Sequence, residues 1–414
     1  MESRQDQQPV ADPIDNRQST IVNPQSAIQN PPLFLFAGGG TGGHIYPGLA
    51  VAGELRRLLG EVKIVFACSD RAIDRRILDP LDHAVVPQPV LPLPRRPLQV
   101  VPFLRAWFRS RRQAADMIAD LRPAAVLGLG GFAAGPVVCR AFRRDVPTAL
   151  LNPDAVPGAA NRYLARFADA IFTQFENSTP LFKPHLRDKV RCVGCPVRPE
   201  LLGGDRDQAL RRFDLRADRK TLLVLGGSLG AESINKAIDL LRGDLEKLTD
   251  TWQVLHVTGP QKSATPGADQ RTGHFSDPGS SGLLIRTLEY CNDMGLAYAA
   301  ADLALARAGA GTVAELSATA TPAIFMPYPY HKDQHQRLNA EGPAAAGAAI
   351  LCEDLKDPAA NAHRLRQTLL PVLRDSSRLA SMTHAARAAS KPRAAQEVAL
   401  WLAAYAGMQR ARQE

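Results

Sequence analysis

The sequence predicts an α/β protein made of two doubly wound parallel-sheet halves. Short apolar runs alternate with stretches of helical periodicity, the pattern of a parallel sheet flanked by helices. Two of these runs stop at glycine-rich turns, residues 38–43 and 226–230, which lead into helical stretches. The pattern also restarts near residue 220, so the second half echoes the first. The chain has 414 residues, 45% hydrophobic and 22% charged, which suits two or three domains and is too apolar for a disordered chain.

Residues 1–32 are polar, rich in Gln and Asn, and are expected to form a disordered tail. The first strand is Leu33–Ala37, a short apolar run ending in glycine. A helix follows over Pro47–Leu59, with Leu49, Ala52, Leu55 and Leu59 on one face. Strands at Val62–Ala67, Ala124–Leu129, Thr148–Leu151 and Ala170–Thr173 complete an N-terminal domain, 33–197. Pro196, Pro199, Gly203 and Gly204 with clustered charges then mark a linker, 198–219. A C-terminal domain, 220–390, takes strands at Thr221–Leu225, Gln253–Val257, Leu303–Ala306, Ala323–Met326 and Ala349–Leu351, and a helix at Ser233–Leu241. An Ala-rich helix from Pro392 to Met408, with Pro392 in its first turn, closes the chain; residues 391–414 are expected to pack back on the N-terminal domain.

The formal charge is +9, and the 50 basic residues divide into 10 Lys and 40 Arg. Arg suits bidentate phosphate contacts, so an anionic partner is one reading and codon composition the other. No nucleic-acid reader motif accompanies the arginines. Six scattered Cys do not make a disulfide scaffold. Cys192-x-x-Cys195 has neither a second pair nor a His at finger spacing, which argues against zinc. No apolar leader opens the chain and no stretch reads as a spanning helix; the expectation is a soluble, reduced, cytosolic protein.

The segment from Gly38 to His44 reads Gly-Gly-Gly-Thr-Gly-Gly-His. Between a strand and a helix such a turn brings backbone amides and a helix N-terminus to an anion. A tight turn without a ligand is the alternative. No Lys-Ser/Thr follows, so it is not a Walker loop. It does contain Gly-x-Gly-x-x-Gly, which with an acid such as Asp70 admits an NAD-dependent oxidoreductase. His44 stands at the C-terminal mouth of the strand, as a general base or as a structural side chain. Gly226–Gly230 offers a second cradle, with Ser228 as phosphate donor or helix cap. Thr312-x-x-Glu315 reads either as a capping box or as Glu315 gripping vicinal hydroxyls.

Five segments occur in one order: Gly39–His44, Gly194-Cys-Pro-Val-Arg198, Gly226–Gly230, Arg307–Glu315 and His331-Lys-Asp-x-x-Gln336. Together they closely resemble the MurG-type N-acetylglucosaminyltransferase family of peptidoglycan synthesis, over about residues 33–405. The resemblance implies a GT-B fold, two Rossmann-like domains with a cleft between them. It implies transfer of GlcNAc from UDP-GlcNAc to the C4 hydroxyl of a lipid-linked MurNAc-pentapeptide, with inversion, at the cytoplasmic face of the cell membrane.

By position, the resemblance puts Thr41, Gly42 and Gly43 in the N-domain substrate loop and Arg198 and Ser228 on the donor. It assigns uridine and ribose to Ala310, Gly311, Thr312, Val313, Ala314 and Glu315, a main-chain contact to the base to Cys291, and further donor contacts to Gln336 and Asn339. His44 is the candidate base. The family's His-Glu-Gln-Asn reads Leu151-Asn-Pro-Asp154 here, so the catalytic acid expected in that role is Asp154, two residues displaced. Leu229 replaces a Gln and Cys195 an Asn. These departures leave two alternatives, a UDP-sugar transferase with another acceptor and a weakened sugar-nucleotide-binding membrane protein. No Asp-x-Asp-like pair lies near a donor turn, so no cofactor or obligatory metal is expected and Arg198, Ser228 and a helix N-terminus carry the diphosphate.

Residues 95–112 hold Arg95, Arg96, Arg105, Arg109, Arg111 and Arg112 with no acid before Asp116. Phe103, Leu104, Trp107 and Phe108 recur among them at helical spacing. That mixture suits an interfacial helix on anionic lipid, and equally a helix packing its aromatics on the sheet.

Overall fold

The structure, a computed structural model, describes residues 31–81, 83–92, 94, 96–227, 230–259, 282–330 and 334–411. Among these, seven parallel strands form a first sheet: β1 (Leu33–Gly38), β2 (Lys63–Ser69), β3 (Ala84–Gln88), β4 (Ala125–Gly130), β5 (Thr148–Asn152), β6 (Ala170–Thr173) and β7 (Val190–Cys192). Six form a second: β8 (Lys220–Leu225), β9 (Trp252–Val257), β10 (Ile285–Leu288), β11 (Leu303–Ala306), β12 (Ala323–Phe325) and β13 (Ala349–Leu351). Helices α1 (Gly42–Leu59), α2 (Ala72–Leu78), α3 (Val100–Leu121), α4 (Ala134–Phe142) and α5 (Ala159–Leu164) accompany the first sheet. The second is accompanied by α6 (Arg206–Arg212), α7 (Glu232–Leu240), α8 (Arg242–Glu246), α9 (Met294–Ala300), α10 (Ala310–Ala318), α11 (His335–Ala345), α12 (Pro358–Arg374) and α13 (Ser376–Ala389).

The strands are continuous apolar runs because both faces of each sheet are covered. Successive residues of β1 go to opposite faces. Phe34 and Phe36 join Val51, Leu55, Val398 and Leu402 on one side. Leu35 and Ala37 join Ile118, Val137 and Val138 on the other. The final helix, α14 (Ala394–Ala411), thus buries its apolar face in the first core although it follows the second sheet in sequence.

The strand orders are β3-β2-β1-β4-β5-β6-β7 and β10-β9-β8-β11-β12-β13. Each reverses direction once, between β1 and β4 and between β8 and β11. Doubly wound sheets open a ligand crevice at such points, beyond the strand carboxyl ends. Gly38–Gly43 and Gly226–Gly227 leave from these ends.

Several expectations shift. Helix α1 begins at Gly42, five residues before the expected Pro47, so the glycine loop passes directly into the helix and Pro47 lies inside it. The last helix begins at Ala394, and Pro392 stands in a turn before it. Strands β3, β7 and β10 carry little pattern: β3 contains Pro87 at a sheet edge, β7 has three residues with a central Arg, and β10 has four. Residues 198–219 contain α6, and Leu201, Leu210 and Phe213 are buried in the second core. No helix of the described residues is long and apolar enough to cross a membrane.

Candidate active site

The loop after β1 is held from α2. The buried Asp74 carboxylate accepts the Gly40 amide at 2.7 and 2.9 Å and the Ser69 hydroxyl at 2.5 Å. The Gly40 N–H is therefore taken up internally. An anion at this loop meets the start of α1, where Thr41 is the N-cap but no side chain caps the first amides.

Thr41 Oγ1 lies instead 3.2 Å from His44 Nδ1, and the Gly39 carbonyl lies 3.1 Å from the same nitrogen. A carbonyl only accepts, so in the neutral ring Nδ1 carries the proton and Nε2 the lone pair. Nε2 lies against the end of β4: a Cβ at Gly130 would come within 3.1 Å of it, and φ there is +103°. Burial pushes the His44 pKa below its ordinary value, against the Gly39 carbonyl and the charges of Asp154 and Asp74. The arrangement is a neutral imidazole with its basic nitrogen at the first switch point.

In the second unit, α10 starts at Ala310 with Gly309 as N-cap. Thr312 is thus already inside the helix, and the Glu315 carboxylate forms no capping box. Its Oε2 accepts the buried Tyr298 hydroxyl of α9 at 2.5 Å. Burial raises the Glu315 pKa, opposed by the Tyr298 hydrogen bond and the Arg198 charge. Arg198 stacks its guanidinium over Tyr46 of α1 at 4.4 Å, and its buried Nε finds no acceptor among the described residues. Arg307, first residue of the motif containing Glu315, donates to Ser233 Oγ at 2.7 Å and pairs with Asp354 at 2.8 Å.

Two buried amides join the units. Asn339 Oδ1 accepts the Ala155 amide at 2.8 Å; its Nδ2 donates to Asp154 Oδ1 and to the Ala308 carbonyl, each at 3.2 Å. Gln174, with its amide oriented to satisfy its neighbours, donates to the Pro153 carbonyl at 2.8 Å and accepts the Ala314 amide at 3.2 Å. Asn152, where the resemblance places a Glu, is buried: its Nδ2 donates to the Asp154 carbonyl and its Oδ1 accepts from Asn161. A cavity of about 570 Å³ lined by Phe175, Cys192, Leu316, Phe325 and Lys391 opens between the units, and neither His44 nor Glu315 lines it.

The structure therefore brings together Thr41, Gly42, Gly43 and His44 at the first turn, with Asp154 in electrostatic reach of His44. The Arg198 charge acts on Glu315. Ala310, Gly311 and Thr312 are half-buried in the first turn of α10, while the side chains of Val313 and Ala314 lie in the core and their amides are taken by the Gly309 carbonyl and Gln174. Cys291 is buried just before α9. Gln336 Oε1 accepts the Tyr328 amide at 2.9 Å. Asn339 is fully buried in the contact between units. Ser228, Leu229 and the His331–Asp333 part of the last motif lie outside the described residues, as does Arg95. Asp74, Tyr298 and Gln174 had no sequence signal, since each acts through a partner distant in the chain. No group of three or more His, Cys, Asp or Glu is placed to hold a metal among the described residues.

On α3 the expected docking residues divide. Trp107 and Phe103 are half-buried and stacked at 6.4 Å, with Trp107 over Gly135 of α4. Phe108, Leu104 and Val101 face outward with Leu98, which is 91% exposed. Arg109 and Arg112 are exposed beside them; Arg111 is half-buried.

The sequence matches the glycosyltransferase family 28 N-terminal domain over residues 34–173 and the glycosyltransferase family 28 C-terminal domain over residues 221–398. Two curated relatives carry the name UDP-N-acetylglucosamine--N-acetylmuramyl-(pentapeptide) pyrophosphoryl-undecaprenol N-acetylglucosamine transferase. That of Desulforamulus reducens is 35% identical, over 88% of this chain and 96% of that protein. That of Leifsonia xyli subsp. xyli is 39% identical, over 86% and 93%. The crystal structure of Acinetobacter baumannii MurG superposes with a TM-score of 0.66 at 26% identity, covering 90% of this chain and 99% of that one. The UDP-GlcNAc 2-epimerase of Neisseria meningitidis bound to UDP-GlcNAc shares the fold, at a TM-score of 0.58 and 14% identity, over 89% and 98% of the two chains.

Proposed function

The chain belongs to glycosyltransferase family 28, among its MurG-type members, and on that premise we propose that it transfers GlcNAc from UDP-GlcNAc to the C4 hydroxyl of a polyprenyl-pyrophosphoryl-MurNAc-pentapeptide. Its two parallel-sheet units are a GT-B fold. One observation carries the reading. Tyr46, two residues after the base His44, carries Arg198 on its ring and feels the charge of Glu315. This link between the helix that carries His44 and the helix that carries Glu315 supports a reaction shared between the two units.

In the proposed reaction His44 Nε2 takes the proton of the acceptor hydroxyl as its oxygen bonds to the anomeric carbon. The bond from that carbon to the diphosphate breaks, and UDP leaves with the electron pair. Gly39 and Thr41 hold the imidazole in the tautomer this needs. Glu315 receives the ribose hydroxyls, the start of α10 lies towards the uridine, and Arg198 neutralises the developing diphosphate charge. Asp154, in reach of His44, favours the imidazolium formed in the step. The exposed apolar and Arg face of α3 would seat the protein peripherally on the anionic cytoplasmic leaflet, where a lipid-linked acceptor resides.

The buried Asn152–Asn161 pair, at the place of the family's Glu, favours a second reading in which the acceptor differs. A radiolabelled transfer assay separates the two. Label from UDP-GlcNAc is expected on a soluble lipid-linked MurNAc-pentapeptide analogue, with UDP released stoichiometrically. UDP-GlcNAc binding without any label transfer to that acceptor overturns the first reading.

A further inference from the structure

Glu315 has two carboxylate oxygens, and only one is committed among the described residues. Tyr298 is 3% exposed, and its hydroxyl donates to Oε2 at 2.5 Å. The ring cannot drift, because α9 is wedged in place. A Cβ at Gly295, one turn before Tyr298, would lie 2.2 Å from the Glu200 carbonyl, so α9 touches the backbone of 200–201 directly. That segment follows Arg198 by two residues. Helix α9 therefore holds the carboxylate assigned to the sugar hydroxyls and packs on the chain just after Arg198.

We propose that Tyr298 is a positioning residue for nucleotide recognition, fixing Oε2 of Glu315 so that Oε1 is presented to the vicinal diol of the ribose. This rests on the reading that Glu315 receives those hydroxyls. A charged acceptor serves two hydroxyls well only when its plane is fixed, and a carboxylate bonded on one side has a single orientation. The groups facing Glu315 include Tyr298 on α9, Arg198 and Cys195 after β7, and Tyr46 on α1. Arg198 attracts the carboxylate without choosing between its oxygens, whereas the Tyr298 hydroxyl chooses.

The test uses the full chain and two nucleotides, UDP and 2′,3′-dideoxy-UDP, by titration calorimetry. Tyr298→Phe keeps the buried ring and removes the donor. It is expected to weaken UDP about tenfold, leave the dideoxy nucleotide within twofold, and raise the KM for UDP-GlcNAc with kcat within about twofold, the scale of one charge-assisted hydrogen bond. In a Glu315→Gln background the same change is expected to have no further effect on the preference for UDP. Glu315→Gln should itself erase most of that preference. If it does not, the ribose reading falls and the positioning role with it. If Glu315→Gln erases the preference while Tyr298→Phe preserves it, only the positioning role is overturned. Equal weakening of both nucleotides by Tyr298→Phe also overturns it, by reducing Tyr298 to packing.

Discussion

At the residue scale, the bonds around one imidazole decide what it can do. His44 Nδ1 is engaged by the Gly39 carbonyl and Thr41, and burial disfavours the charged ring, so the neutral form with a free Nε2 extends to a pH below the ordinary 6.5. A base works only when unprotonated. The acid limb of kcat/KM for GlcNAc transfer is therefore expected to inflect below 6.5, with activity falling as pH drops through the folded-state value. The same depression means that the unfolded chain binds this proton first, so acidification through that window also draws on stability. His44→Ala should lower kcat by about 10²–10⁴ and abolish that limb; an unchanged profile would remove His44 from the reaction. The glycine loop and His44 were legible because they are contiguous. Asp74, which takes the Gly40 amide, was not: 34 residues separate them, and only the pairing of β1 with β2 brings α2 over the loop.

Among elements, α3 shows how far periodicity reaches. Phe103, Leu104, Trp107 and Phe108 recur at helical spacing, but the spacing alone does not say which of them faces the neighbouring helix. Packing on α4 takes Trp107 inward, to Gly135, and leaves Leu104 and Phe108 outside with Leu98 and Val101. The two faces should respond differently. Trp107→Ala is expected to cost about 2–4 kcal/mol of stability by denaturant unfolding, because it empties a packed site. Phe108→Ser with Arg109→Glu and Arg112→Glu should leave the unfolding midpoint nearly unchanged and weaken sedimentation with anionic vesicles about tenfold or more, an effect that shrinks as salt rises. Wild-type-like vesicle binding of the triple variant would assign the exposed face another role. The long apolar strands were read to within a residue or two at most ends, since burial on both faces writes a continuous run. Strands β3, β7 and β10 escaped because three to five residues at or near a sheet edge carry neither alternation nor a run.

For the whole molecule, one of the contacts that join the units lies between residues more than 180 positions apart, beyond any local pattern. Asn339 of α11 holds Ala155 and Asp154 of the first unit and Ala308 of the second, separations of 184 and 185 residues for the first two. An amide suits this place because it accepts on one side and donates twice on the other. Motif order made the two-unit architecture legible, yet the clasp needed the fold to bring the segment after β5 against α11. The exchange of amide for acid tests it. Asn339→Asp sets a carboxylate against Asp154 and leaves the Ala308 carbonyl without its donor, so the contact becomes repulsive in a buried setting. It is expected to cost about 2–4 kcal/mol in chemical unfolding, and to raise the radius of gyration seen by small-angle scattering as the units part. Asp154→Asn in the same chain restores a donor–acceptor pair and should recover about half of the loss, the Ala308 carbonyl still being unpaired. Additive losses in the double variant, with no change in radius, would show that the two side chains do not meet and that the units are held together elsewhere.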